Sequence, residues 1–180
     1  MTKLFFKLCS EHVQFLIDEF GCRVVGKKSD NFKDEVIYRN ATTAVKVSYE
    51  PRERSMFILL CRLVDGNIPQ EPIFVRPKTK LYSFYLDDLL ALRSPGARIL
   101  RRKPFGGITF DDLDAKQIIE ACAAAPPFTE RDLEHMVKTY ATALHKHGAD
   151  ILRGDFSVFT ELDRIVKKRA EEFRRIGENH

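Results

Sequence analysis

The sequence lacks the local motifs by which many enzymes hold a phosphate group or activate a nucleophile. It contains no GxxxxGKS/T or GxGxxG loop, and no GxSxG, HExxH or protein-kinase signature. These absences exclude the enzyme classes that a short motif identifies, and we expect no cofactor or metal. No apolar run approaches the roughly 18 residues of a transmembrane helix, so the sequence predicts no membrane span.

Cysteine is scarce and the charge is nearly balanced. The four cysteines, at positions 9, 22, 61 and 122, form no CxxC pair and lie in apolar runs, which predicts reduced thiols that act as small hydrophobic side chains. The 30 basic and 26 acidic residues give a net charge of +4, and their mixed signs are typical of a solvated surface. Because Lys7 and Glu11 interrupt the N-terminal apolar stretch, we expect no export signal and a cytoplasmic location.

The first half of the chain is rich in β-strand patterns. Apolar or alternating runs occur at residues 22–25, 36–38, 45–49 and 56–63, and the short turns between consecutive runs favour antiparallel pairing. The last run is apolar almost throughout, which indicates a strand covered on both faces. Residues 26–34 are predicted to form a polar loop. Residues 40–42 match a glycosylation sequon, but without an export signal they are interpreted as part of a turn.

Helical patterns occur at both ends of the chain. The spacing of Val13, Leu16 and Phe20 predicts an N-terminal helix with Ser10 as its N-cap and Gly21 just beyond its end. Further helices are predicted at residues 111–124, from the N-cap Thr129 onwards, and from Asp155 or Thr160 onwards. The Thr129 helix carries an apolar stripe at helical spacing: Leu133, Met136, Val137, Tyr140, Ala141 and Leu144. The last helix is expected to bury Phe159, Leu162, Val166, Ala170 and Phe173.

Between these regions the pattern is weaker. Residues 73–75 and 82–85 are candidate edge strands, and Asp87 is a candidate cap for a short helix that ends at Leu92. Strands followed by helices are the α+β pattern. The predicted fold is therefore one α+β domain over residues 1–180, an antiparallel β meander with an N-terminal helix and a C-terminal layer of about three helices. Its β-rich part spans about residues 1–92, and its helical part spans about residues 108–180.

Two groups of residues are candidates for chemistry or binding. His145 and His147, at i and i+2 on a predicted helix, point in different directions and could join Asp150 only if the helix ended at Gly148; the alternative is two solvated histidines near a helix C-terminus. Four positive charges without an acidic neighbour form a basic cluster at Arg98, Arg101, Arg102 and Lys103. We identify this cluster as the candidate partner-binding site, since such a loop can attract an acidic surface. No catalytic residue is assigned.

Parts of the chain resemble small cytosolic immunity proteins of bacterial toxin–immunity pairs. The resemblance lies in an opening helix that ends in an aromatic–glycine step, in a strand pair with a charged turn, and in two later segments. The residues that carry it are 15–21, 36–38, 45–50, Arg52, 84–90 and 150–156. It implies a non-enzymatic protein that binds and neutralises a toxin, and it supplies no catalytic residues.

The hypothesis that we carry forward is a protein-binding module, most specifically an immunity protein with a toxin domain as its partner. Neither nucleic acid nor a membrane is the expected partner. Two alternatives remain open: a small regulatory or nucleic-acid-associated protein that uses the basic cluster, and an enzyme whose dispersed site includes His145, His147 and Asp150.

Overall fold

The computed structural model describes residues 1–94 and 127–177, together with residues 114, 116, 117 and 120 in the interval between them. Five strands and six helices lie within residues 1–94 and 127–177. The strands are β1 (Arg23–Ser29), β2 (Asp34–Arg39), β3 (Thr43–Glu50), β4 (Ser55–Arg62) and β5 (Ser83–Tyr85). The helices are α1 (Thr2–His12), α2 (Phe15–Asp18), α3 (Leu86–Arg93), α4 (Glu130–His147), α5 (Ala149–Leu152) and α6 (Phe159–Gly177).

The five strands form one antiparallel sheet in the order β1-β2-β3-β4-β5, which confirms the predicted meander. Because each strand follows its neighbour after a short turn or a loop, sequence order and spatial order coincide. The register places Glu35 opposite Ser48, Ser48 opposite Phe57, and Leu59 opposite Tyr85. Side chains of one row therefore share one face of the sheet.

The inner face of the sheet packs against the helices and forms the main core. Val45, Val47 and Tyr49 of β3 are buried there, as their alternation with Lys46 and Ser48 predicted. Helix α4 contributes the complete predicted stripe, since all six of its apolar residues are buried. Its N-terminus has the predicted cap: Thr129 accepts from the Asp132 amide, and the Asp132 carboxylate accepts from the Thr129 amide in return.

A smaller apolar cluster covers part of the outer face of the sheet. Ala44, Leu59 and Cys61 are buried in it, and Leu63 and Ile68 of the following segment pack against them. Strand β4 therefore buries side chains on both faces, which confirms the interpretation of its nearly continuous apolar run. Segment 63–82, named here the proline segment because Pro69, Pro72 and Pro77 interrupt it, runs from β4 to β5.

The turn between β2 and β3 docks the helices onto the end of the sheet. The Asn40 side-chain amide donates to the carbonyl oxygens of Phe20 (3.1 Å) and Leu152 (2.9 Å). Its oxygen accepts from the amides of Thr42 and Thr43, and the buried Thr43 hydroxyl donates to the Ile151 carbonyl at 2.9 Å. The predicted turn is confirmed, and Asn40 serves as a structural anchor.

The N-terminal region corrects the sequence prediction in two respects. The first helix begins at Thr2 rather than at Ser10, whose hydroxyl donates back to the Lys7 carbonyl within α1 instead of capping a helix. Strand β1 continues to Ser29 through the predicted loop, with a bulge between Val24 and Gly26. Gly21 has a φ of +63°, the left-handed conformation expected beyond a helix end.

Three further expectations are wrong. Ile73 and Phe74 form a bend with exposed side chains, so residues 73–75 are not an edge strand, whereas β5 lies within the other candidate. Helix α3 has Tyr85 as its N-cap, and Asp87 lies inside the first turn. Phe173 is exposed, because the last turns of α6 extend beyond the core.

Two ion pairs connect α3 to the other helices. The Arg93 guanidinium binds the Asp150 carboxylate and the His147 carbonyl, and the Arg169 guanidinium of α6 binds the buried Asp88. The acidic start of α3 therefore anchors α6 as well as complementing the α3 dipole.

Most of the predicted helix at residues 111–124, including Cys122, and the boundary region from residue 95 to residue 108 lie outside the described residues; Lys116, Gln117 and Glu120 of that predicted helix are helical. Among the helices that the structure describes, none has the length and apolar character that crossing a membrane would require.

Candidate functional site

A charged cleft lies on the outer face of the sheet, beside the apolar cluster. We name it the outer cleft; its cavity volume is about 140 Å³. The strand register assembles it, because side chains two residues apart on β2, β3, β4 and β5 share this face. Its lining residues are Lys33, Glu35, Lys46, Ser48, Glu50, Phe57, Leu59, Glu71 and Tyr85.

Glu35 forms the floor of the outer cleft. Its side chain is only 8% exposed, and its carboxylate accepts hydrogen bonds from the Lys33 ammonium and from the Ser48 hydroxyl, each at 3.0 Å. Burial by itself would raise the pKa of Glu35, but the bonds from Lys33 and Ser48 together lower it below its ordinary value. Glu35 is therefore an ionised carboxylate with its charge already compensated.

A second ion pair joins the sheet to the proline segment. The Lys46 ammonium of β3 donates to the Glu71 carboxylate at 2.6 Å. Burial would lower the pKa of Lys46, but the bond to Glu71 and the charge of that carboxylate raise it. This pair holds the proline segment over the edge of the outer cleft.

The remaining wall of the outer cleft consists of two aromatic rings and the Glu50 carboxyl, which has no ion pair comparable to that of Glu35 among the described residues. Phe57 and Tyr85 meet edge to face with their ring centroids 6.3 Å apart. Burial, followed by the neighbouring Glu53 charge, raises the pKa of Glu50. Unlike Glu35, Glu50 is therefore a group for which a cationic partner would be favourable.

Large apolar side chains are exposed next to the outer cleft. Ile73 and Phe74 follow closely after Glu71 in the chain and are 86% and 75% exposed. Phe32 precedes Lys33 and is also exposed, with the Arg52 guanidinium 4.9 Å from the centroid of its ring. We name Phe32, Arg52, Ile73 and Phe74 the rim. Exposed aromatic and arginine side chains around a charged cleft are the composition of protein-binding hot spots.

The candidate partner-binding residues, Arg98, Arg101, Arg102 and Lys103, lie outside the described residues, so their role stays a prediction. The outer cleft and the rim were not identified in the sequence. Only the alternation of Lys46 and Ser48 in β3 indicated a polar face. No pattern among neighbouring residues in the sequence links that face to Glu35 or Glu71.

The structure does not bring His145, His147 and Asp150 together. Helix α4 ends at His147, and Asp150 is engaged by Arg93, whose hydrogen bond lowers the pKa of the Asp150 carboxyl. His145 instead lies 2.9 Å from the Glu19 carboxylate. The described residues contain no group of three or more histidine, cysteine, aspartate or glutamate side chains arranged to hold a metal ion.

The Glu19–His145 pair is a contact that sequence reasoning missed, since 126 positions separate its members. The His145 ring packs edge to face on Phe15, with centroids 4.8 Å apart. Together with His12 and Lys138, it lines a surface cavity of about 310 Å³. The pair bridges the end of α2 and helix α4.

The described cysteines do not have the properties of nucleophiles. Cys9, Cys22 and Cys61 are buried and unpaired. Burial raises the pKa of the Cys9 and Cys61 thiols to about 12, and that of Cys22 to about 11. At neutral pH they are thiols rather than thiolates, as expected of structural cysteines.

Comparison with known proteins identified no family model, no curated protein and no solved structure that matches this chain. Function is therefore argued from the geometry.

Proposed function

We propose that this protein is a non-enzymatic protein-binding module and that it binds its partner through the rim and the outer cleft. The observation that carries the proposal is the exposure of Ile73 and Phe74 beside a cleft whose buried charges are already paired. A partner that covers these side chains removes apolar surface from water, while Glu35 and Lys46 keep their ion-pair partners. Arg52 stacked on Phe32 adds a second anchor of the type enriched in hot spots.

The specific form that we propose is an immunity protein that neutralises a cognate bacterial toxin in the cytoplasm. The sequence resemblance supports this form. An inhibitor needs a rigid surface. Phe32 and Arg52 lie in the turns that follow β1 and β3, and Ile73 and Phe74 lie in a segment tied down by the Lys46–Glu71 pair. Toxin neutralisation requires no catalytic group of its own, in agreement with the empty motif search.

The test is co-expression with a toxin-domain protein encoded by a gene adjacent to that of this chain. The wild-type chain should restore growth and co-purify with the toxin. The double variant Ile73→Asp/Phe74→Asp should lose both properties, because it places charge at the centre of the apolar anchor.

The matched control is Phe173→Asp, since Phe173 is 69% exposed but belongs to α6 rather than to the rim. This variant should behave as wild type. Rescue that survives the Ile73/Phe74 change would overturn the assigned surface. Absence of an adjacent toxin gene, or growth arrest that the wild-type chain does not relieve, would overturn the immunity role.

A further inference from the structure

A second concave site, distinct from the outer cleft, lies where the end of β4 meets the proline segment and the start of α6. We name it the basic pocket; its cavity volume is about 360 Å³. Arg62 is the last residue of β4, Lys78 and Lys80 belong to the proline segment, and Lys167 lies on α6. Tyr82 and Phe156 supply aromatic walls.

Among the described residues, the charge of this pocket is only partly compensated. Four cationic side chains line it, against the single carboxylate of Asp163, so the lining carries a net charge of +3. Asp163 is itself bound by Lys167 at 2.8 Å. Within the part of the chain that the structure describes, no carboxylate lies within 4 Å of the charged groups of Arg62, Lys78 or Lys80. Like charges that converge on a concave surface repel one another, and a bound anion relieves that repulsion.

Aromatic rings hold two of these cationic side chains in place. The Arg62 guanidinium lies 5.2 Å from the centroid of the Phe156 ring, and the Lys80 ammonium lies 5.6 Å from that of Tyr82. Both are cation–π distances. The Arg62 amide donates to the Tyr82 carbonyl at 2.8 Å, which fixes the proline segment to β4.

The backbone that carries the two lysines is held by a tight turn. The Thr79 amide donates to the Arg76 carbonyl at 2.9 Å, and the Thr79 hydroxyl accepts from the Arg76 amide at 2.8 Å. Lys78 lies inside this turn and Lys80 directly follows it, so both reach the pocket from a fixed backbone. A preorganised set of donors loses less conformational entropy on binding.

We propose that the basic pocket binds a phosphate-bearing ligand of about the size of a mononucleotide. A planar guanidinium with two ammonium groups is the donor set that phosphate oxygens prefer. The cavity exceeds the size of an inorganic phosphate and lies within the roughly 300–1,000 Å³ range of small-molecule sites. The walls formed by Tyr82, Phe156 and the Arg62 guanidinium plane suit the ring of a nucleoside.

The experiment measures fluorescence anisotropy of N-methylanthraniloyl-AMP with the full chain at low and at high salt. We expect binding that weakens as salt is raised, because the phosphate contacts are electrostatic. Lys78→Glu/Lys80→Glu should weaken binding at least about tenfold, while Lys78→Arg/Lys80→Arg retains it. Lys3→Glu/Lys28→Glu, the same charge change at exposed positions elsewhere, should alter affinity less than about twofold.

Competition identifies the ligand chemistry and its source. AMP should displace the probe and adenosine should not. An eight-nucleotide oligothymidylate that displaces it at lower nucleotide concentration than AMP would assign the site to single strands, and the reverse order would assign it to free nucleotides. Absence of probe binding at low salt, equal competition by adenosine, or undiminished binding by Lys78→Glu/Lys80→Glu would each overturn the proposal.

Discussion

Replacement of Glu35 by alanine tests whether the floor of the outer cleft stabilises the sheet. The change removes the acceptor of the Ser48 hydroxyl, which lies in a residue only 7% exposed. A buried hydroxyl left without a partner costs about 1–3 kcal/mol. Lys33 can turn to solvent, so its lost ion pair adds less than about 1 kcal/mol. We expect a total loss of about 1–4 kcal/mol in the free energy of unfolding.

The assay is urea unfolding at neutral pH, followed by circular dichroism. The matched control is Glu11→Ala, which removes the carboxylate of the Lys7–Glu11 pair, whose side chains are 68% and 49% exposed, and it should cost no more than about 1 kcal/mol. Combining Glu35→Ala with Ser48→Ala should cost less than the sum of the two single changes, because no unpaired hydroxyl remains. Equal losses for Glu35→Ala and Glu11→Ala would show that the buried Ser48 hydroxyl adds no cost of its own.

The same carboxylate predicts a pH dependence. The pKa of Glu35 is lower in the folded chain than its ordinary value, so its ionised form stabilises the fold above that ordinary value. This contribution is lost as the pH falls through the lowered folded pKa. Between about pH 5 and about pH 3, wild type should therefore lose more stability than Glu35→Gln. Equal losses in the two proteins would show that the Lys33 and Ser48 bonds do not favour the charged form.

Two substitutions test how the helices dock onto the sheet, and one labelling experiment tests the burial of the thiols. Asn40→Ala removes two hydrogen bonds donated to the main chain and two accepted from it. It should lower the free energy of unfolding in urea by about 2–4 kcal/mol, and Asn40→Asp should lower it by less. Gly154→Ala, at a φ of +93° and with its new carbon 3.1 Å from the Thr42 hydroxyl, should cost about 1–3 kcal/mol in the same assay, and a neutral result would contradict the strain. Cys9 and Cys61 should react with Ellman's reagent only as the structure opens, so complete labelling on mixing would contradict their burial.

The sequence predicted those strands and helices whose apolar periodicity is visible within the element itself. The alternation of β3 and the stripe of α4 each specify one buried face without reference to the rest of the chain. The start of α1 was mispredicted because serine favours both an N-cap and a back-bond to a carbonyl three residues earlier. The choice between the two depends on where Phe5 and Leu8 pack, and both are buried in the main core.

The candidate sites required pairings across the fold. Glu35 meets Ser48 only because β2 and β3 pair in one register, and a shift by one residue would place them on opposite faces. Lys46 and Glu71, or Glu19 and His145, are joined by contacts between elements distant in the chain. Charged side chains in isolation are typical of a solvated surface, so their sequence pattern carried no indication of a cleft.

The outer cleft separates residues that stabilise the fold from residues available for recognition. Glu35 is buried and paired, so a Glu35 variant that lost partner binding would also have lost stability. Its loss of binding could not be assigned to the interface. Ile73 and Phe74 are 86% and 75% exposed, so their replacement should change stability by no more than about 0.5 kcal/mol. A loss of partner binding in that variant therefore reports on the interface alone. The proline segment also carries Lys78 and Lys80 into the basic pocket, and rescue of growth by Lys78→Glu/Lys80→Glu would show that the two surfaces act independently.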